Sequence, residues 1–264
     1  MLRKLLKYEF RATGRTFLPM FVAVVIISVV SRVLYSDNIS QALQGSSWFV
    51  DLVYGMTAFM YVAVICAMFV MALIVLIQRF QKNLMGDEGY LMFTLPVRPW
   101  QLITAKSAAA LVWSAASCAV AMLAVMILGS QYGGFFEGFG RAAESFAWFC
   151  FEVGVPVPLM IFEILLIMLV SFFSGAMMIY ASIALGHLWP RHKNAGAIVS
   201  FAGLCIVMQV ITTALTHILD SINFFNQDYN LQLFIWLIIA YLLLFTAAYF
   251  VITNYILSHR LNLE

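Results

Sequence analysis

The sequence predicts an all-α integral membrane protein, in which an amphipathic N-terminal interfacial helix precedes six transmembrane helices and both termini are cytoplasmic. Hydrophobic residues make up 64% of the chain and charged residues only 10%, whereas soluble domains have about a quarter charged residues. Six apolar segments are each long enough to cross a hydrocarbon core of about 30 Å. Lysine and arginine residues alternate between the two sides of these segments, as six membrane crossings require.

The apolar segments favour helices over barrel strands, because they are about 20 residues long and lack period-two alternation. Helices also satisfy their own backbone groups in lipid. Pro156 and Pro158 lie at the start of the fourth segment, which is longer than a bilayer needs and is expected to tilt or to begin as an interfacial turn. Since no linker or soluble domain interrupts the chain, we expect one transmembrane domain over residues 1–264. The six spans are expected at about residues 17–35, 52–77, 103–128, 155–185, 195–217 and 232–257.

Residues 1–16 form the predicted interfacial helix. At about 100° per residue, apolar and basic side chains fall on opposite arcs, and a helix of this kind lies along the cytoplasmic surface with its cations near anionic headgroups. One interpretation is a plain anchor that sets topology, and the other is a lever that touches a cytoplasmic partner. The apolar arc holds Leu2, Leu5, Leu6 and Phe10, and the basic arc holds Arg3, Lys4, Lys7, Arg11 and Arg15.

Seven further basic residues indicate the predicted orientation. They fall in the second-to-third connection, in the fourth-to-fifth connection and in the tail, namely Arg79, Lys82, Arg98, Lys106, Arg191, Lys193 and Arg260. The three opposite connections hold one basic residue, Arg141, and several acids: Asp37, Asp51, Glu137, Glu144, Glu152, Asp220 and Asp228. Because basic residues concentrate in cytoplasmic connections, both termini are predicted to be cytoplasmic.

The motifs of soluble catalysis are missing from the sequence. It has no P-loop, no H-E-x-x-H, no glycine-flanked nucleophilic serine and no metal-spaced cluster of Cys and His, so no catalytic, cofactor-binding or metal-binding residue is predicted. The scattered cysteines (Cys66, Cys118, Cys150 and Cys205) are interpreted as packing residues. A net charge of +2 provides no field for nucleic acid, and no nucleic-acid partner is expected.

The connection between the second and third spans carries an apolar stretch, residues 90–95, although its predicted location is cytoplasmic. A solvated loop has no reason to carry such residues. A short helix from Asp87 to Phe93, stopped before Pro96, would present an apolar face to a partner protein. Trp100 would then anchor the chain at the membrane interface.

This connection resembles that of type-2 ABC transporter permeases. The resemblance lies in an acidic residue and glycine followed by Leu91-Met-Phe-Thr-Leu-Pro96-Val, and then in Gln101-Leu-Ile and Lys106 at the mouth of the next span. The opening Lys4-Leu-Leu-Lys-Tyr-Glu-Phe10, with Thr13-Gly-Arg-Thr after it, is similar to small permeases of this family in Gram-positive bacteria. The topology matches over the whole chain and the motifs over about the first 110 residues. The long outer connection at residues 129–154 departs from many members and leaves the outer gate unassigned.

The resemblance implies the permease subunit of an ABC exporter in the bacterial cytoplasmic membrane. Such a subunit is not by itself an enzyme and holds no cofactor; two copies of a separate ATPase subunit bind ATP and Mg²⁺. Six helices form half of the translocation path, so a second copy or a related permease is implied, while the substrate stays open. The coupling helix would be residues 87–95, and the residues implied in ATPase contact are Asp87, Glu88, Tyr90, Leu91, Phe93, Leu95, Trp189 and Arg191.

Two ionisable residues lie inside predicted spans, Arg32 and Glu163. Each costs about 2.5–3.5 kcal/mol at the centre of a bilayer on insertion scales, and a rise of about 1.5 Å per residue places them at similar depth. We therefore predict an Arg32–Glu163 ion pair, or a polar cluster that includes both. The alternatives are that Arg32 reaches outer headgroups and that Glu163 is protonated or faces water.

Two other classes of protein compete with the permease. An intramembrane enzyme would need a polar catalytic cluster at membrane depth, where the sequence offers only Arg32 and Glu163. The other rival is an ATP-independent carrier or a membrane-anchored sensor partner. A carrier with inverted repeats should show paired broken helices, and the sequence contains no such pair. Small residues at packing distance along a helix are predicted to allow close approach of helices: Ala115 and Ala119, Ser171 and Gly175, Gly196 and Ser200.

Overall fold

The computed structural model describes residues 2–34, 47–85, 99–130, 134–189, 192–221 and 231–259. Over these ranges the chain forms seven α-helices and no strand. The helices are α1 (Leu2–Leu34), α2 (Ser47–Met85), α3 (Pro99–Gly129), α4 (Phe135–Val153), α5 (Val157–Gly186), α6 (Lys193–Ser221) and α7 (Leu231–His259).

Six of these helices, all except α4, are long and apolar enough to cross a membrane, which confirms the six predicted segments. The segments concerned are Leu5–Leu34, Leu52–Lys82, Pro99–Gly129, Val157–Gly186, Lys193–Ser221 and Leu231–His259. Each is 29 to 31 residues long, or about 45 Å at the usual helical rise. They are longer than most of the predicted spans because helical hydrogen bonding continues past the last apolar residue into polar sequence. The chain is therefore a multi-pass membrane protein.

Helix α1 is continuous from Leu2 to Leu34. The predicted interfacial helix, residues 1–16, and the predicted first span, residues 17–35, are thus not separated by a break in the backbone. Pro19 lies inside the helix and removes one amide donor from its hydrogen-bond ladder. The interfacial orientation of the basic end stays a prediction.

Helix α4 occupies most of the long connection between the third and fourth spans. Its end is a Schellman motif, in which the Gly154 amide donates to the Phe151 carbonyl at 3.1 Å and the Val155 amide to the Cys150 carbonyl at 2.9 Å. Gly154 has a φ of +74°, which a glycine adopts without strain. Pro156 is the N-cap of α5.

The helices divide into two units. The C-terminal unit comprises residues 1–6, 76–111 and 147–264, and the N-terminal unit comprises residues 7–75 and 112–146. In the C-terminal unit α5 packs against both α6 and α7. Its core includes Phe80, whose ring stacks on that of Tyr180 with centroids 4.1 Å apart, and the buried Ile103 and Met177.

In the N-terminal unit a smaller core joins α1, α2 and α3. Val24, Tyr61, Met68 and Ala124 are buried in it. Large apolar side chains elsewhere are exposed, among them Phe59 at 75% exposure. A soluble protein could not expose apolar surface so widely without aggregating, but lipid tails solvate it without cost. The surface therefore agrees with a membrane environment.

The backbones of α5 and α6 approach closely at one point. A Cβ atom at Gly186 would lie 2.3 Å from the Ala197 nitrogen, and one at Gly196 would lie 2.9 Å from the Gly186 carbonyl oxygen. The predicted close approach at Gly196 is thus confirmed, with Gly186 as its partner. At Gly175 an added Cβ would meet nothing within 4 Å, so the described residues make no use of that small residue.

We expect Gly186→Ala to destabilise the protein by about 1–3 kcal/mol, because the added methyl group meets backbone that cannot move aside. The measurement is thermal unfolding in detergent micelles. Gly203→Ala is the matched control, since a Cβ there meets nothing within 4 Å and alanine is the better helix former by about 1 kcal/mol. Equal melting temperatures for the two variants would contradict the close approach.

Candidate functional site

A fully buried acid lies in the first two turns of α5. Glu163 is 0% exposed, and its Oε1 accepts a hydrogen bond from Nε2 of Gln232, the second residue of α7. Because α5 packs against α7, the two side chains meet inside the C-terminal unit. We call them the Glu163–Gln232 pair.

The pair has more acceptors than donors. Glu163 Oε2 and Gln232 Oε1 are both buried, and neither has a hydrogen-bond partner among the described residues. An ionised carboxylate can only accept hydrogen bonds, and a buried polar atom without a partner costs about 1–3 kcal/mol. An additional hydrogen-bond donor that reached Glu163 Oε2 or Gln232 Oε1 would therefore stabilise this site.

Arg32, the predicted partner of Glu163, is exposed near the end of α1. It belongs to the N-terminal unit and Glu163 to the C-terminal unit, and their predicted ion pair stays a prediction. Sequence reasoning does not identify Gln232, because a glutamine at the edge of an apolar segment is ordinarily the boundary of the span. Its position in the first turn of a span, at the end of the bundle where Glu163 lies, was the available signal.

The described residues contain no group of three or more His, Cys, Asp or Glu side chains that could hold a metal ion. The pair itself supplies three carboxyl and amide oxygens, of which one is already hydrogen-bonded. A Ca²⁺ site takes six to eight oxygen ligands, so these side chains fall well short of a cage for that ion.

Most residues of the predicted coupling region lie outside the described residues: Asp87, Glu88, Tyr90, Leu91, Phe93, Leu95 and Arg191. Trp189 is described, and its side chain is 51% exposed. Its amide donates to the Gly186 carbonyl at 3.1 Å, which continues the turn at the end of α5. An exposed indole therefore stands at the connection to α6.

The helix ends on either side of the two predicted cytoplasmic connections are held together. Gln81 Nε2, near the end of α2, donates to Asn194 Oδ1 at the start of α6, at a distance of 2.7 Å. At the preceding residue of α2, the Phe80 ring stacks on Tyr180 of α5. Ile103, just inside α3, is fully buried in the same core. Residues 86–98 and residues 187–192 thus both connect helices of one packed unit.

No protein-family model, no curated protein and no solved structure matches this chain.

We expect Glu163→Gln to keep the melting temperature or raise it, and Glu163→Leu to lower the stability by about 1–3 kcal/mol. Glutamine replaces the unpartnered acceptor Oε2 with an NH2 group, which can donate hydrogen bonds. Leucine instead leaves the Gln232 amide without its hydrogen-bond partner. Thermal unfolding in detergent provides the measurement. Glu152→Gln, at an exposed acid in the last turn of α4, should change nothing. If glutamine and leucine at position 163 are equally harmful, the hydrogen-bond account of the pair is wrong.

Proposed function

We propose that this chain is the permease subunit of an ABC exporter in the bacterial cytoplasmic membrane, with both termini cytoplasmic and a separate ATPase subunit that hydrolyses ATP. The observation that carries the proposal is the hydrogen bond between Gln81 and Asn194. It joins the helices on which both predicted ATPase-contacting connections depend. Together with the six spans and the resemblance of residues 87–106 to type-2 ABC permeases, it favours a membrane subunit that is driven by a separate protein outside the bilayer.

Charge supports the assignment of this face to the cytoplasm. Arg79 and Lys82 lie in the last two turns of α2, and Lys193 begins α6. Basic residues next to spans concentrate on the cytoplasmic side, which is where an ATPase has access to ATP. The exposed Trp189 then faces the same compartment, and aromatic residues of this kind are common at the centres of protein interfaces.

Packing supports the transmission of movement. The Phe80–Tyr180 stack and the Gly186–Gly196 approach are direct packing contacts between the ends of α2, α5 and α6. A force on residues 87–95 would therefore move these ends together rather than bend a loop. Two such six-helix chains, or one chain and a related permease, would enclose the path, and two ATPase copies would drive it.

An ATP-independent carrier is the second candidate. The buried Glu163 favours it, because intramembrane acids are typical of proton relays and ion pathways. An intramembrane enzyme has weaker support, since the Glu163–Gln232 pair offers two unpartnered acceptors and no nucleophile beside a base. The two transporter hypotheses differ in whether transport stops when the ATPase is removed.

We expect Leu91→Asp and Phe93→Asp each to reduce co-purification of the ATPase by at least about tenfold, since burying a carboxylate in an apolar interface is costly. Affinity capture and the ATP turnover of the captured complex provide the measurement. Phe139→Asp is the matched control, because this phenylalanine of α4 is 65% exposed on the predicted outer side. ATPase binding that survives both changes would refute the coupling helix.

We expect Gln81→Leu and Asn194→Leu each to lower the ATP turnover of the reconstituted complex about 2- to 10-fold without releasing the ATPase. A side-chain hydrogen bond contributes about 0.5–1.5 kcal/mol, and here its loss would loosen the linkage between the two connections. The double variant should be no slower than either single variant, as expected when two residues act through one contact. Multiplicative losses would show that Gln81 and Asn194 act separately.

A further inference from the structure

An open groove of about 540 Å³ runs beside α1 in the N-terminal unit, at the point where the basic segment passes into the apolar span. Phe10, Arg11 and Arg15 line one part of it, and Leu18 and Pro19 line another. Trp113 of α3 forms a wall, beside Gly14 of α1. The roles predicted for the basic segment, an anchor that sets topology or a lever that touches a partner, do not explain this groove.

The wall of the groove is fixed in place. Trp113 Nε1 donates to Thr13 Oγ1 at 2.7 Å, and the indole stacks on the ring of Phe17 with centroids 4.8 Å apart and an interplanar angle of 11°. Thr13 Oγ1 itself donates to the Glu9 carbonyl at 2.6 Å. The indole is therefore held by a hydrogen bond and a stack, so a ligand would meet a preorganised surface.

Gly14 keeps the groove open. A Cβ atom at this position would lie 3.5 Å from the Trp113 ring, at ordinary contact distance. Any longer side chain would project into the space between α1 and the indole. The width of the groove thus depends on glycine at position 14.

Two cations stand at the polar part of the groove. Arg11 and Arg15 are exposed and lie four residues apart, so their side chains share one face of α1. Neither has an acidic or hydrogen-bonding partner among the described residues. Like charges at this spacing destabilise a helix, and a shared anion would relieve the repulsion.

The polarity of the groove changes along α1. From Arg11 to Leu18 the helix rises by about 10 Å, and over that length the lining residues change from two arginines to apolar side chains. Leu18 is 59% exposed and begins the apolar run that crosses the membrane. Guanidinium groups bind phosphate with two parallel hydrogen bonds. A phosphodiester joined to acyl chains has the same order of charge and apolar surface, whereas an acidic peptide or a nucleic acid lacks the apolar part.

We propose that this groove binds one anionic phospholipid, with its phosphate between Arg11 and Arg15 and an acyl chain along Leu18, Pro19 and Trp113. The lipid completes the basic end of α1 and holds it at a defined depth. This site does not depend on the ATPase, so it stands or falls separately from the proposed transport function.

The test is native mass spectrometry of the full-length protein in detergent, incubated with equal amounts of phosphatidylglycerol and phosphatidylcholine that carry identical acyl chains. We expect the wild-type protein to retain one phosphatidylglycerol in preference to phosphatidylcholine. Arg11→Gln combined with Arg15→Gln should weaken that retention about thirtyfold, from the usual contribution of each cation near an anionic lipid. Arg3→Gln combined with Lys7→Gln, which removes two exposed cations of the same helix outside the groove, should leave it unchanged.

Gly14→Leu distinguishes lipid binding in the groove from attraction by charge alone. It keeps both arginines but fills the space beside Trp113. We expect it to abolish selective retention, with a cooperative thermal transition as evidence that the variant is folded. The arginine pair variant alters no buried contact and tests the site even if Gly14→Leu does not fold. Equal losses in the arginine pair and its control, or retention in folded Gly14→Leu, would overturn the proposal. So would displacement of the lipid by an equal concentration of soluble glycerol phosphate, since it would show phosphate binding without acyl chains.

Discussion

The packing of α5 against both α6 and α7 is the interaction on which the C-terminal unit depends. Between Ala176 and Ala184 the residues of α5 are buried on almost every side, so this half of the helix is enclosed by protein. Toward its start, α5 buries Met160 and Glu163 but exposes Phe162 and Leu165. One helix therefore changes from a core element at one end to a mostly lipid-facing element at the other, and Glu163 is buried within the more exposed part.

Much of the fold could be predicted because hydrocarbon imposes a strict constraint on sequence. Apolar runs of sufficient length must be helices, and the six spans follow from that alone. Helix ends were less predictable: α2 continues to Met85, past Arg79 and Lys82, because backbone hydrogen bonds do not stop where polar side chains begin. Similarly, the change from amphipathic to apolar pattern near residue 16 divides α1 in the sequence but not in the backbone.

The candidate site was predictable only in part. Glu163 stood out because an acid inside a span is costly, but its partner Gln232 is neutral and lies at the edge of a span, where polar residues are ordinary. The sequence pattern identifies Gly196 as a packing residue but not its partner Gly186, for a related reason. Spacing along one helix shows which small residues share a face, whereas the opposing residue belongs to another helix and is revealed only by packing. Trp113 likewise carries no sequence signal that it would pair with Thr13.

The sequence separation between Glu163 and Gln232 has a consequence for how the chain is made. The two residues are 69 positions apart, and ribosomes add about 5–20 residues per second. The acid therefore emerges roughly 3–14 s before the amide that binds it in the finished protein. During that interval its carboxyl group must be hydrated or shielded by the insertion machinery. The helix that carries Glu163 is therefore synthesised, and can meet the bilayer, before the Gln232 amide is available to bind the acid.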